Sequence, residues 1–123
     1  NGDLSKWETS SVEDMSFMFW KASVFNGDLS AWNTSSVESM KKMLYEAAAF
    51  NGDLSRWDIS AVKDMSSMFS NAALFNQNLC AWGDSFPYDQ AADIFSSSGC
   101  AFQEDPQSGR KGPFCASSCD TFE

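Results

Sequence analysis

A repeat with a period of 25 residues constrains this chain more than any other feature. Residues 1–25, 26–50 and 51–75 align without gaps, and 12 of the 25 positions are identical in all three copies. A fourth, divergent copy covers residues 76–100 and keeps register only if one residue is inserted near Phe86 and Pro87. A unit this short cannot bury its apolar face alone, so the copies must stack. We expect a repeat domain over 1–100 and an irregular C-terminal cap over 101–123.

The hydrophobic pattern changes in the middle of each repeat. In the first half, Leu4, Trp7 and Thr9 have the spacing of the inward face of a short strand. The second half carries apolar side chains at the spacing of one helix face, namely Val12, Met15, Met18, Phe19 and Ala22. The expected fold is an α/β solenoid, a leucine-rich-repeat-like, right-handed stack of strand-turn-helix units. Strands should line its inner side, because strands pack about 4.8 Å apart and helices about 8–10 Å.

Stacking should convert the repeated apolar positions into buried ladders that form the core. Three ladders and a methionine set are expected: Trp7, Trp32, Trp57 and Trp82; Leu4, Leu29, Leu54 and Leu79; Phe25, Phe50 and Phe75; and Met15, Met18, Met40, Met43, Met65 and Met68. A methionine-rich face can also form an adaptable binding groove. Here the methionines share their face with other core positions, so we interpret them as core.

Charge and composition exclude several classes of function. Eight Lys and Arg against 17 Asp and Glu give a net charge of -9, which disfavours nucleic acid and anionic membrane surfaces as partners. No apolar run approaches the roughly 20 residues of a membrane-spanning helix. The chain has no His, so triads and metal sites that depend on imidazole are absent. We expect no cofactor and no catalysis, and a hydrolase is the least favoured class.

The four cysteines all lie near the C-terminal end of the sequence. Cys80, Cys100, Cys115 and Cys119 lack the close spacing of typical zinc ligands and are more typical of disulfides in an oxidising compartment. Four cysteines allow three pairings. Cys80 lies at the predicted strand start of the fourth copy and Cys100 closes that copy, so we favour Cys80–Cys100 with Cys115–Cys119, and the other two pairings remain open.

Two large aromatic residues of the first repeat fall outside the core pattern. Phe17 and Trp20 occupy positions that hold Lys42 and Tyr45 in the second copy and serines in the third. Exposed aromatic side chains are typical of contact surfaces. The first repeat also lacks a polar cap, which leaves its stacking edge open. We therefore predict a protein contact or self-association at this N-terminal edge, with Phe17, Trp20 and Tyr45 as contact residues.

Three other sets of residues are weaker candidates. The outward positions of the predicted strands would form a recognition face for a protein or a surface glycan, with Lys6, Glu8, Arg56 and Asp58 as candidates. Asn33 begins a glycosylation sequon, Asn33-Thr34-Ser35. The Asn-Gly-Asp turns would stack three carboxylates as an alternative calcium site, although Asp in such turns commonly caps its own backbone. These carboxylates belong to Asp3, Asp28 and Asp53.

The repeat unit resembles that of a known family. Its pattern F-N-G-D-L-S-x-W-x-T-S-S-V-x-x-M-x-x-M-F is similar to the 25-residue repeat of BspA-like surface proteins, found in mycoplasma lipoproteins and expanded in diatoms and other algae. The resemblance spans essentially the whole chain. It implies an extracellular or cell-surface location and contact with proteins or glycans, without catalytic residues. The expected function is a secreted or surface-displayed module for adhesion or extracellular assembly, with head-to-tail polymerisation as one form of assembly.

Overall fold

The computed structural model describes residues 4, 6–110 and 112–119, and these residues contain almost no regular secondary structure. The helical elements are two 3₁₀ helices of three residues each, Cys80–Trp82 and Tyr88–Gln90. Pairing of extended backbone is limited to isolated bridges, including parallel bridges from Asp14 to Ser39 and from Ser39 to Asp64. No α-helix or strand forms in the described residues. The predicted α/β solenoid of leucine-rich-repeat-like, strand-turn-helix units is therefore wrong.

The second half of each repeat is a run of consecutive turns. In the first copy, the N–H groups of Met18, Trp20 and Ala22 donate to carbonyls three residues earlier, over 3.0–3.2 Å. Phe17 and Lys21 have positive φ, at 63° and 60°. A right-handed helix cannot contain such residues. The same positions have positive φ in the other copies, at residues 42 and 46, 67 and 71, and 93 and 97.

The intervening N–H groups join each repeat to the next. Met15, Phe17 and Phe19 donate to carbonyls 24 residues further along the chain, at 2.9–3.0 Å, and Lys21 does so at 2.8 Å. The second and third copies are joined at the same offset, beginning with Met40 and Asp64. Between the third and fourth copies the offset is 25, beginning with Met65 and Gln90, because the fourth copy holds one additional residue. We call this set of bonds the inter-repeat ladder.

The ladder gives the physical reason why the helix prediction fails. Packed helices need about 8–10 Å between axes, whereas equivalent side chains of successive repeats stack closer than that. The ring centroids of Phe25 and Phe50 are 6.0 Å apart, and those of Phe50 and Phe75 are also 6.0 Å apart. Consecutive turns bring every third or fourth residue to one side, as a helix does. The apolar spacing therefore could not distinguish the two structures.

Stacked side chains form the core between the turns. The predicted ladders are buried from the second repeat onward, and Trp32 and Trp57 lie parallel with centroids 6.5 Å apart. Each of these tryptophans also donates its indole N–H to the leucine carbonyl of the preceding repeat. The Nε1–O distances are 2.8 Å from Trp32 to Leu4, 2.9 Å from Trp57 to Leu29 and 3.1 Å from Trp82 to Leu54. The tryptophan ladder is therefore a hydrogen-bonded as well as an apolar connection.

Polar side chains add two further ladders. The buried hydroxyls of Thr9 and Thr34 each donate 3.0 Å to a carbonyl of the following repeat. The third copy has the buried Ile59 at this position and therefore no hydroxyl to donate. The copy that follows it, the fourth, diverges in sequence. The Asn51 side-chain oxygen accepts the Asn76 N–H at 2.9 Å, and that of Asn76 accepts the Ala101 N–H at 3.2 Å. Asparagine side chains thus join the loops between repeats.

Two nested disulfides close the C-terminal end. Cys100 is bonded to Cys115 and Cys80 to Cys119, so the predicted pairing of Cys80–Cys100 and Cys115–Cys119 is wrong. The chain after the fourth copy folds back, and antiparallel bridges place Cys115 beside both Asn78 and Phe102. Cys115 consequently meets Cys100, and the following residues carry Cys119 to the start of the fourth copy. The positions of the cysteines within the repeat pattern could not reveal this return of the chain.

The indole hydrogen bonds predict a difference between two equivalent tryptophans. Trp57→Phe keeps a stacked ring but removes the indole hydrogen bond to the Leu29 carbonyl, which then accepts only the Trp32 N–H, and should lower the free energy of unfolding by about 0.5–1.5 kcal/mol. Trp7→Phe is the matched control, because the Trp7 indole is exposed and donates to no described residue. Urea unfolding followed by circular dichroism measures the loss in the free energy of unfolding for both variants. Equal losses in the two variants would contradict the role of the hydrogen bond.

Candidate functional site

Aromatic and lysine side chains cluster on the outside of the first two repeats. Phe17 and Trp20 are 45% and 47% exposed and meet edge to face, with centroids 5.9 Å apart. The Lys21 ammonium lies 4.8 Å from the Trp20 ring centre. The Lys42 ammonium lies 5.9 Å from the Phe17 ring centre and 5.5 Å from that of Tyr45. We call these five residues the aromatic–lysine cluster.

The turns of the ladder position this cluster. Phe17 and Lys42 are equivalent positive-φ residues of adjacent copies, and the Phe17 N–H donates to the Lys41 carbonyl at 3.0 Å. The Trp20 N–H closes the turn onto the Phe17 carbonyl at 3.1 Å. The predicted exposure of Phe17 and Trp20 is confirmed, although turns and not a helix produce it. We did not predict Lys21 and Lys42 as site residues. The sequence feature that could have identified them is their position beside aromatic residues of adjacent copies.

The cluster is cationic on an acidic protein. Lys21 and Lys42 of the cluster, together with the adjacent Lys41, are three of only eight basic residues in a chain of net charge -9. A fourth lysine, Lys63, instead pairs with Glu38 at 3.6 Å, with both side chains largely exposed. Such a pair contributes little to stability. The cluster therefore offers apolar ring surface together with positive charge, which suits a partner with acidic groups.

The stacking edge of the first repeat is a second exposed surface. Trp7 and Met18 are 56% and 40% exposed, whereas their equivalents Trp32 and Met43 are 4% and 0% exposed. Met18 is the exception among the methionines, since the other five are buried as predicted. We call this surface, which also includes the half-buried Leu4 and Phe19, the N-terminal edge.

The predicted inner strand face does not form as a strand. Lys6, Glu8, Arg56 and Asp58 are all exposed, but they belong to loops and turns of the first and third repeats. The Glu8 carboxylate accepts the Ser10 N–H at 3.0 Å, and that of Asp58 accepts the Ser60 N–H at 2.9 Å. These carboxylates stabilise their own turns.

The candidate calcium ligands are engaged in the same kind of turn. The Asp28 carboxylate accepts the N–H and hydroxyl of Ser30 at 2.9 and 2.7 Å, and the Asp53 carboxylate accepts the Ser55 N–H at 2.9 Å. That backbone bond, with the Ser55 hydroxyl, lowers the pKa of Asp53. Asp3 lies outside the described residues, and within them no group of three acidic or cysteine side chains could hold a metal ion.

The glycosylation candidate is exposed and partly engaged. The Asn33 side-chain oxygen accepts the Ser35 N–H at 3.0 Å and the Ser35 hydroxyl at 2.7 Å. The middle residue of the sequon, Thr34, is buried and donates its hydroxyl to the Asp58 carbonyl. Addition of a glycan at Asn33 stays a prediction.

A cleft of about 400 Å³ lies beside the C-terminal cap. Asp84, Tyr88 and Arg110 line it together with the Cys80–Cys119 disulfide. The Tyr88 hydroxyl donates to the Gly83 carbonyl at 2.8 Å, while burial and then the Asp84 charge raise the pKa of Tyr88. The phenol therefore stays protonated at neutral pH. All four cysteines are in disulfides, so the cleft contains no free thiol.

The carboxylate turns predict a defined response to acid. The Ser60 hydroxyl and N–H hold the pKa of Asp58 below its ordinary value, so its stabilisation is complete above the unfolded-state pKa and is lost as pH falls through the folded-state pKa. Asp58→Asn keeps the acceptor, as Asn33 does at the equivalent position, and should flatten the pH dependence below about pH 5. Because Asp58 is exposed, we expect the substitution to change the free energy of unfolding by less than about 1 kcal/mol. Thermal unfolding at pH 2–7 measures this change in stability. Asp58→Ala is the control, because it removes the hydrogen-bond acceptor of the turn at every pH. An unchanged pH slope in Asp58→Asn would contradict the assignment.

Comparison with known proteins places this arrangement in a family. The family model described as "Mycoplasma protein of unknown function, DUF285" matches residues 1–108. No curated protein and no solved structure gives a significant match. Within the described residues, no helix is long and apolar enough to cross a membrane. Because the match covers all four copies of the repeat, the chain belongs to the DUF285 family of mycoplasma-type repeat proteins.

Proposed function

We propose that this chain is a secreted or cell-surface module that binds a protein partner through the aromatic–lysine cluster, in adhesion or extracellular assembly. The observation that carries the proposal is the pair Phe17 and Trp20. Two large rings remain about half exposed, whereas every tryptophan and phenylalanine between residues 26 and 100 is buried. Aromatic side chains of this kind dominate the binding energy of many interfaces.

The side chains of the cluster contact one another, which favours tight binding. Ring contact fixes Phe17 against Trp20, and Lys21 and Lys42 lie over ring faces. A surface held in one arrangement loses less side-chain entropy on association than a mobile one does. In the third repeat the same positions are serines, Ser67 and Ser70, so this surface is confined to the first two copies.

The proposed location outside the cell is supported by two observations. Two disulfides involve all the cysteines of the chain, and disulfides persist mainly in oxidising compartments. Membership in a mycoplasma-type repeat family is compatible with surface display. We retain the closer likeness to BspA-like surface proteins as part of the proposal, because the repeat pattern supports it.

Two other ligands are second candidates. A surface glycan with acidic groups could stack on Trp20 and pair with the lysines, since ring faces and ammonium groups suit such a sugar. Calcium is less favoured, because the Asp28 and Asp53 carboxylates accept hydrogen bonds from their own turns.

The experiment compares three purified chains on arrays of extracellular proteins and of glycans. The double variant Phe17→Ser, Trp20→Ser should weaken binding to an acidic protein partner by at least about 30-fold, as expected for loss of two central aromatics. Leu74→Ser is the matched control, because Leu74 is 61% exposed and lies outside the cluster. We expect it to bind like the parent chain.

The same arrays distinguish the alternatives. Binding confined to glycans, and lost in the double variant, would transfer the function to sugar recognition. Equal binding by all three chains would contradict a role for the cluster. Light scattering behind a sizing column, run on the same samples, shows whether the partner is a second copy of the chain.

A further inference from the structure

The loops between the repeats contain two pairs of asparagine followed by glycine. Asn26-Gly27 and Asn51-Gly52 lie in the same six-residue sequence, Phe-Asn-Gly-Asp-Leu-Ser, which occurs at residues 25–30 and 50–55. A glycine after asparagine favours spontaneous deamidation, because no Cβ hinders the approach of its backbone nitrogen to the asparagine side chain. The two pairs have the same local sequence, so a difference in their reactivity must come from the fold.

The reaction consumes only water besides the side chain itself. The glycine nitrogen loses its proton and bonds to the asparagine Cγ, and the side-chain nitrogen takes up a proton and leaves as ammonia. The product is a five-membered succinimide. Water then opens this ring at either of its two carbonyl carbons and produces aspartate or isoaspartate. One water is consumed and one ammonia is released, and nothing is oxidised or reduced.

The structure leaves the reacting groups of both pairs accessible. Asn26 and Asn51 are exposed, and no described residue accepts the N–H of Gly27 or Gly52. Each asparagine side-chain oxygen accepts one N–H of the following repeat. The Asn51 N–H donates to Asn26 at 3.1 Å, and the Asn76 N–H donates to Asn51 at 2.9 Å. These equivalent bonds do not distinguish the two asparagines.

An additional side chain holds Asn51. The Gln77 side-chain amide donates to the Asn51 side-chain oxygen at 3.0 Å and to the Asn51 backbone carbonyl at 2.8 Å. It thus ties the side chain to its own backbone, and the rotation that brings Cγ to the Gly52 nitrogen must break at least one of these bonds. For Asn26 the position equivalent to Gln77 is Gly52, which has no side chain and cannot donate such bonds.

We propose that Asn26 is a site of spontaneous deamidation and that Gln77 protects Asn51 from the same reaction. Conversion of Asn26 adds one negative charge to the chain. The isoaspartate product also lengthens the main chain by one atom between Phe25 and Leu29, which are both buried, and therefore lowers the thermal unfolding midpoint. This inference is independent of the proposed function, since it rests on the loops between repeats and not on the aromatic–lysine cluster.

The test follows both asparagines while the purified chain is incubated at about 37 °C in mildly alkaline buffer. Trypsin cleaves after Lys42 and so separates Asn26 from Asn51, which lets tandem mass spectrometry measure each conversion. We expect Asn26 to convert at least about five-fold faster than Asn51, the factor that corresponds to one hydrogen bond. In Gln77→Ala the rate at Asn51 should rise to that at Asn26. Gln103→Ala is the matched control, because its amide donates elsewhere, and it should leave Asn51 protected.

The unfolded chain is the reference for these rates. In concentrated urea both asparagines should convert equally, because residues 25–30 and 50–55 are identical. Equal rates in the folded chain, or a rate at Asn51 that does not rise in Gln77→Ala, would overturn the protection by Gln77. Asn26 that converts in urea but stays intact in the folded chain would overturn the assignment of the site. An isoaspartyl fraction with the unfolding midpoint of the parent chain would contradict the effect on stability.

Discussion

The inter-repeat ladder of backbone hydrogen bonds is the interaction on which the rest of this structure depends. Turn bonds and ladder bonds alternate along the second half of each of the first three repeats, so neighbouring N–H groups are satisfied within one coil and between coils in turn. Buried backbone groups need such partners. Across the ladder the rings of Phe25, Phe50 and Phe75 stack with centroids 6.0 Å apart. The indoles of Trp32, Trp57 and Trp82 each reach a leucine carbonyl of the preceding repeat.

The same ladder explains the two exposed surfaces. Its positive-φ residues place Phe17 and Lys42 on the outside of adjacent coils, where ring and ammonium contacts form the aromatic–lysine cluster. At the first repeat the ladder has no preceding coil among the described residues, so Trp7 and Met18 remain exposed. At the other end, residues 101–110 and 112–119 and two disulfides cover the fourth copy. The two ends of the stack therefore differ in chemistry.

The sequence predicted the register of the repeats, most of the buried ladders and the exposure of Phe17 and Trp20. It could not predict the conformation that joins them, because a run of turns and a helix both bring every third or fourth residue to one face. Glycine usually marks positive φ, but Phe17, Lys21 and their equivalents are not glycines. The pairing of Cys80 with Cys119 also depended on the return of the chain after the fourth copy, which the pattern does not encode.

Scalar couplings across hydrogen bonds, measured by NMR on isotopically labelled protein, test the ladder most directly. The account predicts a coupling from the Leu44 amide nitrogen to the Met68 carbonyl carbon, 24 residues away, because these groups lie 2.9 Å apart from nitrogen to oxygen. It also predicts a coupling from Ala47 to Leu44, three residues earlier, since the turn bond between them is 3.1 Å long. A coupling from Leu44 to Met40 would instead be the signature of an α-helix. That result, with no coupling to Met68, would contradict the account.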